Sequence, residues 1–415
     1  RRGMAAALVV AGLLATSVGT VGSVGAAGSP PRGAADPQVI SDWNAVAYDT
    51  IVVDAGKQNA EAFMWFGFAQ AAVYNAVVGI TRQYELYNWN SRGPRGASPQ
   101  AAAAVAAHDV LLEYFPASQG RLDLALAASL AEVPDGPPKD QGIRYGERAA
   151  DRLIDLREDD GRNAPITFDV PPAPGVWRPT PPAFASFFDP WMAQLEPLLL
   201  DSPSQFRPGP PPALTSATYT EDFNEVKDLG SSTSTVRTLE QTATARFIAL
   251  SVFQLVSSSL QDLAARYELD ISDSARLFAA VDMSAADGLI ASWDAKLEFG
   301  FWRPITAIRE ADTDGNPETA PDPEWLTLLA TPPYPDYTSG LTTIMGAATR
   351  ALTGVHDLGG DRIDVNITVM GVTRHYETAS QLQQEGIDAR VWSGIHFRTA
   401  DVVGNEAGTQ VGDWA

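Results

Sequence analysis

Apolar residues recur at helical spacing through long stretches of this chain, and this spacing restricts its fold more than any other feature. Side chains three or four positions apart lie on one face of a helix, so each such stretch has one face to bury. Helices are predicted over Val39–Val53, Ala60–Ile80, Pro99–Phe115, Arg121–Val133, Asp140–Arg157, Thr235–Leu269 and Ala275–Leu297. No strong alternating pattern of a strand stands out. The sequence therefore predicts an all-α fold of packed helical bundles.

One segment, from Asp159 to Thr218, is crowded with proline and aromatic residues instead. Its large rings include Trp177, Phe184, Phe187, Phe188 and Trp191. Because so many rings need burial, we expect an ordered segment that wraps over the helices. A flexible linker is the alternative for a segment of this composition.

The composition excludes several classes of protein. The chain has 415 residues, of which 45% are hydrophobic, enough for the core of one large domain or of two closely packed ones. Its net charge of −22 argues against nucleic acid or an anionic membrane as a partner. The chain contains no cysteine, which excludes a disulfide scaffold, a thiolate metal site and a cysteine nucleophile.

The first residues are typical of an export signal. Arg1 and Arg2 precede an apolar run from Ala5 to Ala15 and a stretch of small residues that ends near Ala27. Paired arginines also occur in twin-arginine signals, which export folded proteins. We therefore predict a leader over residues 1–35 and no stable membrane span. A disordered leader on a cytoplasmic protein is the alternative.

Six residues in the last third of the chain have the types and the order that suit a tetrahedral oxyanion: Lys296, Arg303, Ser339, Gly340, Arg390 and His396. An ammonium and two guanidinium groups can neutralise such an anion, and a serine hydroxyl can donate to it. A helix predicted to start after Ser339 would add its N-terminus, a natural anion site. A solvated helix face is the alternative for any one of these residues, but the alternative weakens when all six occur in order.

The spacing of these residues predicts two features of the local helix geometry. Lys296 and Arg303 are nearly two helical turns apart, so we expect both on one side of a helix that Pro304 ends. Arg390 and His396 would point in different directions on an unbroken helix. We therefore expect a break at Gly394 that turns His396 inward.

Longer motifs around these residues resemble the vanadium-dependent haloperoxidases, whose pocket is shared with type 2 phosphatidic acid phosphatases and bacterial class A acid phosphatases. The motifs are WDAKLEFGFWRPITAIREADTDGNPE, TPPYPDYTSG and ARVWSGIHFRTADVVGNEAG, together with the proline-rich PGVWRPTPPAF and QFRPGPPPALTS earlier in the chain. The resemblance extends from Asp36 to the C-terminus and looks most like actinobacterial members. It implies two packed four-helix bundles, with residues 36–230 forming the N-terminal bundle and wrap and residues 231–415 the C-terminal bundle with the pocket. It also implies a homodimer.

The resemblance also implies roles for single residues. The six residues would hold the oxyanion, and His396 would be the axial ligand of vanadium or the nucleophile of a phosphatase. Three positions depart from the family pattern: Thr338 replaces a proline, Ala389 a serine, and Leu341 the acid–base histidine. Leucine cannot carry a proton, and such a group contributes about 10²- to 10⁴-fold to a rate. We therefore expect weak or absent halide oxidation.

The chain most resembles a family homologue from the napyradiomycin pathway that rearranges an α-hydroxyketone. This implies a cofactor-independent isomerase that acts on a prenylated naphthoquinone-type intermediate in meroterpenoid antibiotic biosynthesis. His396 would be the base, and Lys296 with Arg390 would stabilise developing charge. We predict that four residues line the pocket for this small aromatic or terpenoid substrate: Leu341, Tyr334, Trp65 and Phe66.

Two alternatives stay open at this point. One is a vanadium-dependent chloroperoxidase that uses vanadate, hydrogen peroxide and halide, with His396 as the metal ligand. The other is an enzyme like the acid phosphatases, with phosphate in the pocket. A phosphohistidine at His396 would then accumulate, because the residue at position 341 cannot assist its breakdown.

Overall fold

The computed structural model describes residues 35–57, 61–250 and 252–415, and most of these residues are helical. The predicted all-α class is confirmed. The predicted export signal lies outside the described residues. The helices are α1 Gln38–Tyr48, α2 Glu61–Thr81, α3 Pro99–Tyr114, α4 Gln119–Ala131, α5 Pro137–Leu156, α6 Ala217–Leu229, α7 Leu239–Leu250, α8 Val252–Leu255, α9 Ser258–Arg266, α10 Ile271–Phe299, α11 Pro304–Arg309, α12 Gly340–Val355, α13 Ala379–Trp392 and α14 Arg398–Trp414.

The long helix α10 is the element on which the rest of the structure is assembled. It packs against α2 on one side and against α12 on another. Helices α2, α3 and α5 pack on one another, and α12 packs on both α13 and α14. Nearly every residue of α10 from Ile271 to Lys296 is buried, which explains why its apolar pattern covers more than one helix face.

The predicted helix Thr235–Leu269 is interrupted and forms the three helices α7, α8 and α9. Serine side chains at the second interruption bond to groups outside the helical ladder. Ser257 Oγ donates to Asn44 Oδ1 at 2.8 Å, and Ser259 Oγ donates to the Gln254 carbonyl at 2.7 Å. Such bonds compete with helical hydrogen bonds, so the apolar period alone overstated the length of this helix.

The helical reading of the sequence missed one antiparallel hairpin, β1 Arg362–Val369 and β2 Val372–Thr378. In β1 the side chains of Ile363, Val365 and Ile367 are buried and alternate with more exposed ones. This is the period-two pattern of a strand. It spans only one strand, because β2 is mostly polar, and this is why the pattern did not stand out.

The proline-rich segment is ordered, as predicted, and the flexible linker is contradicted. Its anchor is Asp287 on α10, whose carboxylate accepts from the backbone N–H groups of Leu198, Leu199 and Leu200 at 2.7 to 2.9 Å. Trp177, Phe187 and Trp191 are buried, and of the large rings of the segment only Phe184 is exposed. The segment therefore closes over α10 through both polar and apolar contacts.

Among the described residues, α2 is the one helix that is long and apolar enough to cross a membrane. Most of it is buried inside the protein, where it packs on α3 and α10. A core helix of a large bundle has the same length and composition.

Candidate functional site

The six predicted oxyanion residues are brought together at the C-terminal end of α10 and the N-terminal end of α12. Each charged or polar side chain among them is buried, and Arg390 is the most exposed at 7%. Arg303 Nη1 lies 3.1 Å from His396 Nε2, and Lys296 Nζ reaches the carbonyl of Thr338, beside Ser339. We call this group, with the carboxyl groups described below, the oxyanion cage.

Lys296 and Arg303 do not lie on one helix, contrary to the expectation from their spacing. Helix α10 ends at Phe299, and Gly300 caps it with a φ of +49°. Arg303 is extended and immediately precedes α11, whose first residue is Pro304. Proline is favoured at the first position of a helix, so Pro304 starts a helix here and does not end one.

The predicted break at Gly394 is present. Helix α13 carries Arg390 and ends at Trp392, and Gly394 adopts a φ of +80°. A Cβ atom at residue 394 would lie 2.3 Å from the Gly230 carbonyl oxygen. Only glycine therefore fits this turn, which directs His396 into the cage.

The ammonium of Lys296 is committed to the loop that precedes α12. Its Nζ donates to the carbonyls of Pro335 at 2.8 Å and Asp336 at 3.1 Å, and also to that of Thr338. An ammonium has three N–H groups, so these three carbonyls engage all of them. Lys296 thus fixes the loop and contributes its charge to the cage, but it has no free donor for a bound oxygen.

Three fully buried donor atoms of the cage lack an aligned acceptor among the described residues: Arg303 Nη2, Arg390 Nε and Ser339 Oγ. The remaining donors of Arg303 hold it in place, since Nε donates to the Tyr334 carbonyl and Nη1 to the Ile395 carbonyl, both at 2.7 Å. Buried donors without an acceptor are costly. A bound ligand oxygen would satisfy them.

Two carboxyl groups, Asp336 and Asp401, also belong to the cage, and the sequence analysis missed both. Asp336 Oδ1 lies 2.8 Å from His396 Nδ1 and 3.8 Å from Arg303 Nη1. Asp401, on α14, faces Ser339 and Arg390 without an aligned hydrogen bond. The available signal was proximity in the sequence, because each aspartate lies a few residues from Ser339 or His396.

Burial dominates the protonation of the cage. It lowers the pKa of His396 well below its usual range, with help from the neighbouring Arg303 and Arg390, so the imidazole is neutral near pH 7. Burial also lowers the pKa of Lys296. It raises the pKa of Asp336 to about 7, against the opposing effect of Arg303 and Lys296, and it raises that of Asp401 as well.

A cavity of about 200 Å³ opens on this cage. Arg390 and Gly340 form its polar end, and its apolar walls include Phe63, Trp293, Tyr334, Leu341 and Ile344. The cavity is therefore suited to an apolar molecule that presents one polar group to Arg390.

Two of the four predicted pocket residues, Tyr334 and Leu341, line this cavity, and the other two lie elsewhere. Phe66 is fully buried in the core. Trp65 donates to Glu61 Oε1, and its ring packs against Tyr114 and neighbouring rings. Phe63, on the same helix, lines the cavity instead. Trp65 is two positions further along α2 and points to another side of the helix, whereas Phe66 is nearly one turn further along and packs in the core.

The donor set fits a bound vanadate in part. Arg303, Arg390 and Ser339 offer unused donors, and His396 offers a neutral imidazole. Lys296 offers charge but no free N–H, and Leu341 offers no proton carrier. The residues present could therefore hold an oxyanion, but they lack a proton carrier at position 341.

A family model and a curated protein each match part of this chain. Residues 276–415 match the family model of the VCPO second helical-bundle domain. The vanadium chloroperoxidase of Curvularia inaequalis is 30% identical over 185 residues, which are 33% of this chain and 30% of that protein. The match thus spans about a third of the length of this curated relative.

Solved structures share the fold over most of the chain. The first bacterial vanadium-dependent iodoperoxidase superposes with a TM-score of 0.79 at 24% identity, covering 93% of this chain and 97% of that one. A holo-type bacterial vanadium-dependent chloroperoxidase has a TM-score of 0.69 at 19% identity, covering 93% of this chain and 98% of that one. At these identities the likeness shows the fold.

Proposed function

We propose that this chain is a member of the vanadium haloperoxidase superfamily and that it uses this scaffold as a cofactor-independent isomerase that rearranges an α-hydroxyketone; the family-model match, the curated relative and the shared fold support the membership. The observation that carries the proposal is Leu341. It lines the cavity beside Arg390, at the position where the family pattern has its acid–base histidine. The exchange removes a proton carrier and adds an apolar wall, which favours a reaction that needs one base and a dry cavity.

The reaction requires only one proton to move and no change of oxidation state overall. The base takes the hydroxyl proton, and a carbon substituent migrates with its bonding electron pair from the carbinol carbon to the adjacent carbonyl carbon. The carbinol oxygen becomes the new carbonyl, and the former carbonyl oxygen becomes an alkoxide that takes the proton back. The negative charge thus passes from one oxygen to its neighbour and never exceeds one unit.

The cage contains groups for each of these steps. His396 is neutral near pH 7 and can accept the hydroxyl proton, and the Asp336 carboxyl beside Nδ1 would stabilise the imidazolium that forms. Arg390 lines the cavity and has an unused donor for the oxygen that gains charge. Lys296 acts through the loop that it fixes and through its charge.

The apolar walls favour an aromatic substrate. Trp293 and Tyr334 pack on each other at a centroid distance of 4.8 Å, and their rings face the cavity together with Leu341. A prenylated naphthoquinone-type α-hydroxyketone, an intermediate of meroterpenoid antibiotic biosynthesis, has the flat ring and the apolar chain that such walls accept.

The test is to incubate the protein with a prenylated α-hydroxynaphthoquinone ketol without vanadate or peroxide and to follow it by liquid chromatography and mass spectrometry. We expect a product of unchanged mass and new retention time. His396→Gln should slow its formation about 10²- to 10⁴-fold. His375→Gln is the matched control, since His375 is exposed on β2 and bonds to Asn366. No product from wild-type protein would contradict the proposal.

A vanadium-dependent chloroperoxidase is the second candidate, and the unused donors of Arg303, Arg390 and Ser339 favour it. These residues and His396 would hold vanadate, which supplies the Lewis acid that activates hydrogen peroxide for halide oxidation. Oxidation of a phenol dye with peroxide and bromide, with and without orthovanadate, distinguishes the two candidates. Robust vanadate-dependent turnover would favour the peroxidase and count against the isomerase.

A further inference from the structure

The charge of the oxyanion cage is almost balanced within the protein. Three cationic side chains, Lys296, Arg303 and Arg390, face two carboxyl groups, Asp336 and Asp401, and all five are buried. His396 is neutral near pH 7. With the ordinary charge on each of the five, the cage has one positive charge in excess.

This balance is unchanged by a proton transfer between Lys296 and either carboxyl group. Burial favours the neutral forms of both Lys296 and the two carboxyl groups. A proton that leaves Lys296 for either carboxyl group changes two charges and leaves their sum the same. The excess of one positive charge is therefore not altered by such a transfer, whereas a proton that either carboxyl group takes up from solvent would raise it by one.

Few hydrogen-bond donors of the cage stay unpaired, and its excess of positive charge is also small. Lys296 has given its three N–H groups to backbone carbonyls, so Arg303 Nη2, Arg390 Nε and Ser339 Oγ remain to bind a ligand oxygen. A second negative charge on the ligand greatly increases the cost of desolvation in this buried site, and because Asp336 and Asp401 offset two of the three cations, the one positive charge in excess compensates only part of that cost. A singly charged oxygen would match the excess charge of the cage.

We infer that the oxyanion cage binds a singly charged oxygen group in preference to a doubly charged oxyanion, because Asp336 and Asp401 offset two of its three cations. The ligand class is thus an alkoxide, an enolate or a monovalent oxyanion. The inference rests on the proposed function, because it concerns the same site and because the alkoxide of the proposed rearrangement has one negative charge. It concerns binding and does not require turnover.

Perrhenate and tungstate provide the test, since both are tetrahedral oxyanions of nearly the same size and they differ by one negative charge. Their affinities for the full chain would be measured by titration calorimetry at about pH 7.5. We expect perrhenate to bind about tenfold more tightly than tungstate, because the one excess charge of the cage does not offset the larger desolvation cost of a second negative charge. Equal or tighter binding of tungstate, or no binding of perrhenate, would overturn the inference.

Variants assign the preference to the two carboxyl groups. Asp401→Asn and Asp336→Asn should each shift the affinity ratio about tenfold toward tungstate. Asp413→Asn is the matched control, because it removes the same charge from α14 at an exposed site paired with Arg350, and its ratio should equal that of wild type. Unchanged ratios in both cage variants, with wild-type thermal stability, would contradict the inference even if the isomerase activity were present.

Discussion

At residue 341 a single side chain decides which proton transfers the cavity can support. Leu341 lines the cavity with Arg390, so a histidine there would face the same ligand as the cage does. Its imidazole would place a proton carrier in the cavity wall itself, in addition to His396 in the cage behind it. A substitution at position 341 can therefore change the acid–base chemistry of the site while the anion-binding residues stay the same.

We expect Leu341→His to gain vanadate-dependent bromide oxidation, at least about 10²-fold above wild type, because it restores a group that typically contributes 10²- to 10⁴-fold. Bromination of a phenol dye with peroxide, with and without orthovanadate, measures the gain. Ile344→His is the control, since Ile344 lines the same cavity about one helical turn further along α12. Equal activity in the two variants would mean that position 341 has no special role.

Asp282 has no part in the proposed reaction, so a substitution there tests how one buried carboxyl group affects the stability of the protein. It lies on α10, is 1% exposed, and neither of its oxygens has a hydrogen-bond partner among the described residues. Burial raises its pKa well above the usual value, so the folded protein holds it neutral. Its contribution to stability is therefore fully present at low pH and is lost as the pH rises through the raised pKa.

We expect Asp282→Asn to have nearly wild-type stability close to pH 4 and to be about 1 to 3 kcal/mol more stable than wild type at pH 8. The amide keeps the shape of the neutral acid and has no proton to lose. Urea unfolding of both proteins at several pH values measures the difference. A difference that does not change with pH would show that Asp282 is not held neutral.

At the scale of elements, the turn between α13 and α14 sets the geometry of the cage. Gly394→Ala should destabilise the protein by about 2 to 4 kcal/mol and weaken perrhenate binding, because the added Cβ meets the Gly230 carbonyl and the left-handed φ disfavours alanine. Gly354→Ala is the control, since Gly354 is in α12 with open space at its Cβ and should gain up to about 1 kcal/mol. Thermal unfolding and calorimetry measure both effects.

The elements that were predicted well from the sequence are those that a pattern of neighbouring residues indicates. The apolar period located α2, α3 and α10, and the glycine at 394 marked the break before His396. Asp336 and Asp401 were not predicted because their role depends on packing between α10, α12 and α14. Likewise, no local pattern indicates that three carbonyls of one loop converge on Lys296.

At the scale of the whole molecule, the net charge of −22 surrounds a cage with a positive excess. An anion must cross this negative field, so its association should be slowest at low ionic strength, where screening is weak. We expect the rate of perrhenate association to rise severalfold between about 20 and 200 mM salt, as measured by stopped-flow tryptophan fluorescence. A neutral α-hydroxyketone should show no such rise, and a falling perrhenate rate would contradict the expectation.

The contact between Gly230 and Gly394 also bears on how related sequences can be recognised. The backbone of residue 230 follows α6, and it occupies the space that a side chain at residue 394 would need. Both positions should therefore remain glycine in descendants of this chain, even where position 341 has changed. A joint glycine signature would then trace common ancestry independently of the chemistry that each descendant performs.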